Sequence, residues 1–260
     1  MKSRGYLLAT VSGIAVAAAT GGAQAADMGL PVKAAAPPLP AAAPTWTGFY
    51  IGGNIGAAWE QAHTDGTGAY ACCFNNFPIS NSTTHTGFIG GGQIGYNWQN
   101  GNAVYGLEAD ISGLGGSGSV TQPYGNSFNG KAATTTNKID WLATFRGRLG
   151  LAVNNSLVYA TAGLAVGRVN NSFTTNDAFI GGTSQWTDHS TRTGLAVGGG
   201  VEEMLTPNWT VRLEGLFVDL GRKTVPVSST TLPAFTGINS FSATFSNQAV
   251  IGRVGLNYKF

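Results

Sequence analysis

Excess charge of one sign, cysteine, histidine and long apolar runs are all scarce in this chain, and each shortage closes off a class of function. Beyond residue 25 no stretch reaches the roughly 20 consecutive apolar residues of a membrane-crossing helix, which excludes an α-helical membrane protein. Past that point twelve Lys and Arg balance twelve Asp and Glu, so nothing points to nucleic acid as a partner. Cysteine occurs only as the adjacent pair Cys72 and Cys73. An even count in an exported protein suggests oxidation, yet neighbouring residues close only a strained small ring. A vicinal disulfide, free thiols and intermolecular bridging all stay open. His63, His85 and His189 share no metal-ligand spacing with the pair, so no metal or other cofactor is expected. The runs "STTHTG" and "TDHSTR" around His85 and His189 match no nucleophile signature, and the chain reads as a non-enzyme. Gly198 to Gly200 are followed by neither a helix nor Lys-Ser/Thr, so a nucleotide loop fails its own context.

What is present begins with an export pattern. Lys2 and Arg4 precede the apolar run Tyr6 to Ala19, and Ala23-Gln24-Ala25 offers small residues for cleavage. Residues 1–25 are therefore expected to be a signal peptide, with an N-terminal membrane anchor as the alternative. Residues 26–45 are rich in Pro and Ala and nearly free of charge. They are expected to form an extended periplasmic tail or tether rather than to pack.

From Trp46 to Phe260 the chain repeats a period-two stretch followed by a break. The stretches are Trp46 to Glu60, Thr86 to Gln99, Ala103 to Leu114, Lys138 to Asn154, Leu157 to Asn170, Ser190 to Leu205, Asn208 to Gly221 and Asn247 to Phe260. The breaks alternate: short ones at "QNGN", "NNS" and "TPN", long ones at about residues 61–85, 115–137, 171–189 and 222–246. Short turns at one end and long loops at the other predict an all-β fold. It is an eight-stranded antiparallel transmembrane β-barrel of the cell outer membrane, with short periplasmic turns and four long extracellular loops.

The strand faces fit that fold. Trp141, Ala143, Phe145, Leu149 and Leu151 oppose Asp140, Thr144, Arg146 and Arg148, while Tyr105, Leu107, Ala109 and Ile111 oppose Glu108, Asp110 and Ser112. A soluble barrel would show the same alternation with the apolar face inside. Aromatics at strand ends favour the membrane, where they form interfacial girdles: Trp46, Tyr50, Trp98, Trp141, Trp209, Tyr258 and Phe260. The polar face, turned inward, carries Glu108, Asp110, Asp140, Glu202 and Glu214 against Arg146, Arg148, Arg192, Arg212 and Arg253. Charges away from bulk water need partners, and an eight-stranded interior is just wide enough for side chains to fill, so these ten residues are expected to plug the barrel as paired ions. An ion path lined by the same charges is the alternative. Arg168 has outward parity and is expected to reach lipid headgroups.

The stretches "WTGFYIGGNIGAAW", "GGQIGYNWQ", "VYGLEADI", "WLATFRGRLG", "VYATAGLAVG", "TGLAVGGGVE", "NWTVRLEGLFVDLG" and "VGLNYKF" together resemble the opacity-type, outer-membrane immunogenic and small porin-like barrels of alphaproteobacteria. The resemblance covers Trp46 to Phe260. This chain has Glu203 and Gly215 where such barrels typically carry Tyr. The terminal strand, with Val254, Leu256, Tyr258 and Phe260 on one face, resembles the signal read by the outer-membrane barrel-assembly machinery. The resemblance implies an abundant surface protein without a shared catalytic motif. It makes a structural barrel, in contact with outer-membrane lipid, lipopolysaccharide and a host or other surface partner, the first expectation. A low-conductance porin is the second, and a loop-based binder of haem or a similar ligand the third. A monomer or weak oligomer is expected.

Overall fold

The computed structural model describes residues 45–70, 76–123, 131–177, 182–227 and 238–260. Cys72, Cys73 and the expected signal and tether segments lie outside these residues. Nine strands are described: β1 (Gly48–Tyr70), β2 (Asn76–Asn100), β3 (Ala103–Gly115), β4 (Gly118–Pro123), β5 (Lys131–Val153), β6 (Ser156–Asp177), β7 (Gly182–Met204), β8 (Trp209–Val227) and β9 (Ile238–Lys259).

Apart from β3 and β4, which do not pair with each other, strands adjacent in sequence pair antiparallel. β1 also pairs with β9, and β3 with β5, so the sheet closes. β3 and β4 form a single stave. They are separated at Gly116, whose φ of 125° only glycine adopts readily, and both lie along β5. Eight antiparallel staves therefore make a closed barrel, as expected.

The tight turns fall where the sequence places them. Gly101 (φ 60°) and Asn154 (φ 56°) take left-handed conformations, the former a glycine and the latter the residue type that best tolerates that region after glycine. The carbonyls of Asn102, Asn155 and Asn208 accept from the amides of Ala152, Met204 and Lys259, tying each turn to the strand beyond it.

The polar breaks differ from expectation in extent. β1 continues ten residues past Glu60, and β2 begins at Asn76 rather than near Thr86. β5, β6, β7, β8 and β9 lengthen in the same way at the end opposite the tight turns. A tilted strand crosses a bilayer in about 9–11 residues, so strands of 22 to 25 residues such as β1, β2 and β6 stand well clear of it. Most of the residues assigned to long loops are thus barrel wall: alternating Thr, Ser and Asn pair through the backbone as well as apolar residues do.

The outward face decides the solvent. Ile111 (60% exposed), Leu149 (67%), Leu164 (60%) and Leu195 (62%) all point away from the lumen, and they belong to a belt continuous around the barrel. No soluble monomer leaves such a surface to water; hydrocarbon must cover it. On β1 the belt ends at Trp59, beyond which Gln61, His63 and Asp65 face outward. Phe49, Tyr96, Trp98, Tyr105, Trp209 and Phe260 are exposed at the tight-turn end and form the periplasmic girdle. Its rings touch in series, with Trp209 to Tyr258 at 5.1 Å, Tyr258 to Phe260 at 5.1 Å and Phe260 to Phe49 at 5.7 Å between centroids.

Trp46 and Tyr50 do not join that girdle. They are 2% and 3% exposed and sit inside the barrel, a correction to the reading of every terminal aromatic as an interfacial anchor. The Trp46 amide donates to Gln99 Oε1 at 2.7 Å, which turns the chain into the lumen before β1 begins.

Candidate functional site

The lumen is the part of this molecule where chemistry concentrates, and it is built in layers. At its centre five strands, β3, β5, β7, β8 and β9, bring Glu108, Asp110, Arg146, Arg148, Glu202, Arg212, Glu214 and Arg253 together, each no more than 6% exposed. Arg146 is the hub. Its Nη2 donates to Glu108 Oε1 at 2.6 Å and to Asp110 Oδ2 at 2.8 Å, its Nη1 to Glu214 Oε1 at 3.0 Å, and its Nε to Thr144 Oγ1 at 2.8 Å. Arg253 clamps Asp110 and Glu214 from β9, through Nη1 to Oδ1 at 3.0 Å and Nε to Oε2 at 2.6 Å. Arg212 Nη1 donates to Glu108 Oε2. Four Arg face four carboxylates, so the cluster is neutral as a whole. The planar guanidinium fork is what allows one cation to serve three acids.

Two tyrosines complete the centre. Tyr50 donates its hydroxyl to Glu108 Oε2 at 2.7 Å and accepts from Arg148 Nη1 at 3.2 Å. Tyr159 donates to Glu214 Oε1 at 3.2 Å, and the Arg148 guanidinium lies 4.0 Å from its ring centroid. Arg148 also donates to Glu202 Oε2 at 2.7 Å. The rings fit because glycine faces them: a Cβ on Gly95 would stand 2.3 Å from the Tyr50 hydroxyl.

Above and below this cluster the lumen turns apolar. Toward the outside, Ile89, Leu114, Ile139, Val169, Leu216, Val218 and Ile251 pack with their neighbours into one buried layer. Toward the periplasm, Trp46, Val104, Ala152, Leu157 and Met204 pack into another around Tyr159. Water therefore meets a hydrocarbon layer before the charges from either side, which strengthens every ion pair between them.

A closed antiparallel barrel with a lipid-facing belt and a buried, ion-paired centre is the architecture of an outer-membrane protein, and comparison with known proteins agrees. The family model described as outer membrane protein beta-barrel domain matches residues 7–260. The chain belongs to that family. It is 36% identical over 252 residues to the 31 kDa outer-membrane immunogenic protein of Brucella melitensis, covering 92% of this chain and 93% of that one. It is 35% identical over 220 residues to the 22 kDa outer membrane protein of Rhizobium leguminosarum, covering 83% and 79%. Among solved structures it shares the fold of OprG from Pseudomonas aeruginosa, with a TM-score of 0.50 at 16% identity, covering 82% of this chain and 96% of that one.

Within this outer membrane protein beta-barrel two of the ten expected interior charges fall outside the central cluster. Asp140 is displaced by a β-bulge: the β5–β6 register shifts between Ile139 and Trp141, so Ile139 takes the inward place and Asp140 pairs with Lys138 at 3.0 Å, its side chain 31% exposed. Arg192 is inside the barrel but higher up, where Nη1 donates to the Phe245 carbonyl at 3.2 Å and Nη2 lies 3.8 Å from Asp188. Arg168 is exposed on the outward face beside Trp141, its β5 partner. Val254, Leu256, Tyr258 and Phe260 lie on the outward face of β9, and the Phe260 amide donates to the Phe49 carbonyl at 2.9 Å.

Proposed function

We propose that this outer-membrane barrel is a sealed structural protein rather than a channel, and that it presents its outer end to surface partners. The observation that carries the reading is the stacking in the lumen: a neutral, fully buried Arg–carboxylate cluster held between two apolar layers. An ion entering from either side would have to shed its water at hydrocarbon and then displace guanidinium groups already bound to carboxylates. Eight staves leave no space for a hydrated detour.

The outer end supports contact with partners. The wall there continues past the lipid belt with Ser, Thr and Asn on its outer face, and a relative at 36% identity is named an outer-membrane immunogenic protein. In this reading residues 1–25 direct export, residues 26–45 form a periplasmic tether and the terminal strand addresses the chain to the assembly machinery. Outer-membrane lipid and lipopolysaccharide surround a monomer or weak oligomer.

The test is single-channel recording of refolded protein in a planar bilayer, with folding checked on the same sample by heat-modifiable gel migration. Silence from folded protein is expected. Steady conductance steps of one size would overturn the reading and establish the lumen as a path for small solutes.

A further inference from the structure

On the side away from the tight turns, one wall of the barrel carries cations at the edge of its lipid belt. β5, β6 and β7 place Phe145, Leu164 and Leu195 in one row of the outward face, register partners across the two ladders and all exposed. Two rows farther from the tight turns the same strands carry Trp141, Arg168 and Thr191, and the next row carries Lys138, Asn170 and His189. Three basic side chains follow directly on the apolar surface.

The bulge in β5 organises this patch. Its extra residue turns Asp140 and Trp141 outward in succession, between the buried Ile139 and Leu142. Asp140 there takes Lys138 at 3.0 Å and accepts from Asn170 Nδ2, while Asn170 Oδ1 accepts from His189 Nδ1 at 2.6 Å. One carboxylate thus orders a chain of contacts across three strands. Arg168 is exposed, and among the described residues it pairs with no carboxylate. Two permanent cations, Lys138 and Arg168, stand against the single acid Asp140, so the patch is positive before His189 is counted. The wall formed by β8, β9 and β1 is different. The row next past Phe217, Val250 and Trp59 is Asp219, Gln248 and Gln61, which holds an acid and no cation, and Gln248 Nε2 donates to Asp219 Oδ2 at 3.1 Å.

We propose that the patch on β5, β6 and β7 is a docking site for the phosphorylated headgroup of an outer-leaflet lipid. Guanidinium and ammonium groups meet a phosphate through charge-assisted hydrogen bonds, and an arginine fork takes two of its oxygens at once. The aliphatic stem of Arg168 lies at the margin of the belt, with its charged end at the headgroup level that Trp141 marks. Continuity with the belt selects a lipid over a free anion. Exposed cations in water hold a small anion weakly, whereas acyl chains lying on the row of Phe145, Leu164 and Leu195 keep a tethered phosphate in place. The proposal rests on the reading of the barrel as an outer-membrane protein surrounded by lipid, and it adds which wall holds a headgroup. Its failure would leave the sealed lumen standing, because conductance decides that separately.

The experiment is native mass spectrometry of the folded full chain released from detergent. The protein is titrated with diphosphoryl lipid A, with the same lipid stripped of its phosphates, and with diphosphoryl lipid A in an excess of inorganic phosphate. A saturable one-to-one adduct with diphosphoryl lipid A is expected, unaffected by inorganic phosphate and much weaker for the stripped lipid. Arg168→Gln and Lys138→Gln should each weaken it about fivefold, the scale of one cation at a membrane surface. Arg222→Gln, which removes an exposed cation from β8, should leave it unchanged. Heat-modifiable migration checks that each variant is folded, and should one patch variant not fold, the other decides. Absence of the adduct would overturn the proposal. Equal binding of the stripped lipid would assign the contact to acyl chains alone, an equal loss in Arg222→Gln would assign it to overall charge, and displacement by inorganic phosphate would assign it to any anion; each of these overturns the proposal as well.

Discussion

Arg253 and Glu214 are register partners across the β8–β9 ladder, and the guanidinium meets Glu214 Oε2 through both Nε and Nη2 at 2.6 Å. The pair is thus set by strand register before any tertiary choice is made, and the rest of the cluster assembles around it. Five strands, from β3 to β9, are fixed to one another by the positions of their charges.

The hub should be the most sensitive residue of the lumen. Arg146→Ala leaves Glu108, Asp110 and Glu214 short of a cation inside hydrocarbon walls, and a loss of about 3–5 kcal/mol is expected. Denaturant unfolding in detergent measures it. Asp140→Asn, at the half-exposed bulge pair with Lys138, should cost no more than about 1 kcal/mol in the same assay.

Removing both partners of the β8–β9 pair should hurt less than the separate losses suggest. Glu214→Gln and Arg253→Met each strand a buried charge, whereas the double variant keeps the cluster neutral. A double-mutant cycle is expected to give a coupling of about 1–3 kcal/mol. Strict additivity would mean that the two residues act on stability through other partners.

Two glycines give a sharper contrast. Gly95→Ala drives a methyl into the Tyr50 ring and toward the Leu107 carbonyl at 2.8 Å, with an expected cost of about 1–3 kcal/mol. Gly113→Ala, whose Cβ would meet nothing within 4 Å, should be neutral or gain up to about 1 kcal/mol through a less flexible unfolded chain. Urea midpoints of the two variants check both signs.

Deletion of Phe260 removes an exposed ring from the girdle and the amide bonded to the Phe49 carbonyl. Outer-membrane fractions of cells producing the shortened chain should contain much less heat-modifiable barrel than wild type. Normal levels would show that neither contact matters for assembly.

Strand number, alternation and the inward face of nine of the ten charges, all but Asp140, were legible in the sequence because a period of two survives wherever one face is polar. The apolar lumen layers were not. At Leu216, Phe217 and Val218, or Val250 and Ile251, both faces are apolar, and the alternation that separates inside from outside vanishes. Tyr50 could have been placed: it shares parity with Asn54 and Glu60, both buried, but its place at a strand end suggested a girdle. Asp140 could not have been, since a one-residue bulge leaves no mark on composition. The extra length of the strands was hidden by Ser, Thr and Asn, which read as loop until a neighbouring strand is present to pair with them.

The seam between β1 and β9 joins the beginning of the barrel to its end, with Tyr50 opposite Lys259. Nothing in the lumen can be finished until that seam zips. Arg253 arrives with the last strand and Tyr50 with the first, so any partly made barrel carries unbalanced carboxylates and two unpaired edges. Closure must wait for contacts spanning nearly the whole chain, the slowest kind to form. A half-built barrel is therefore both sticky and electrically frustrated, while a finished one is neither, which makes completion an all-or-none event.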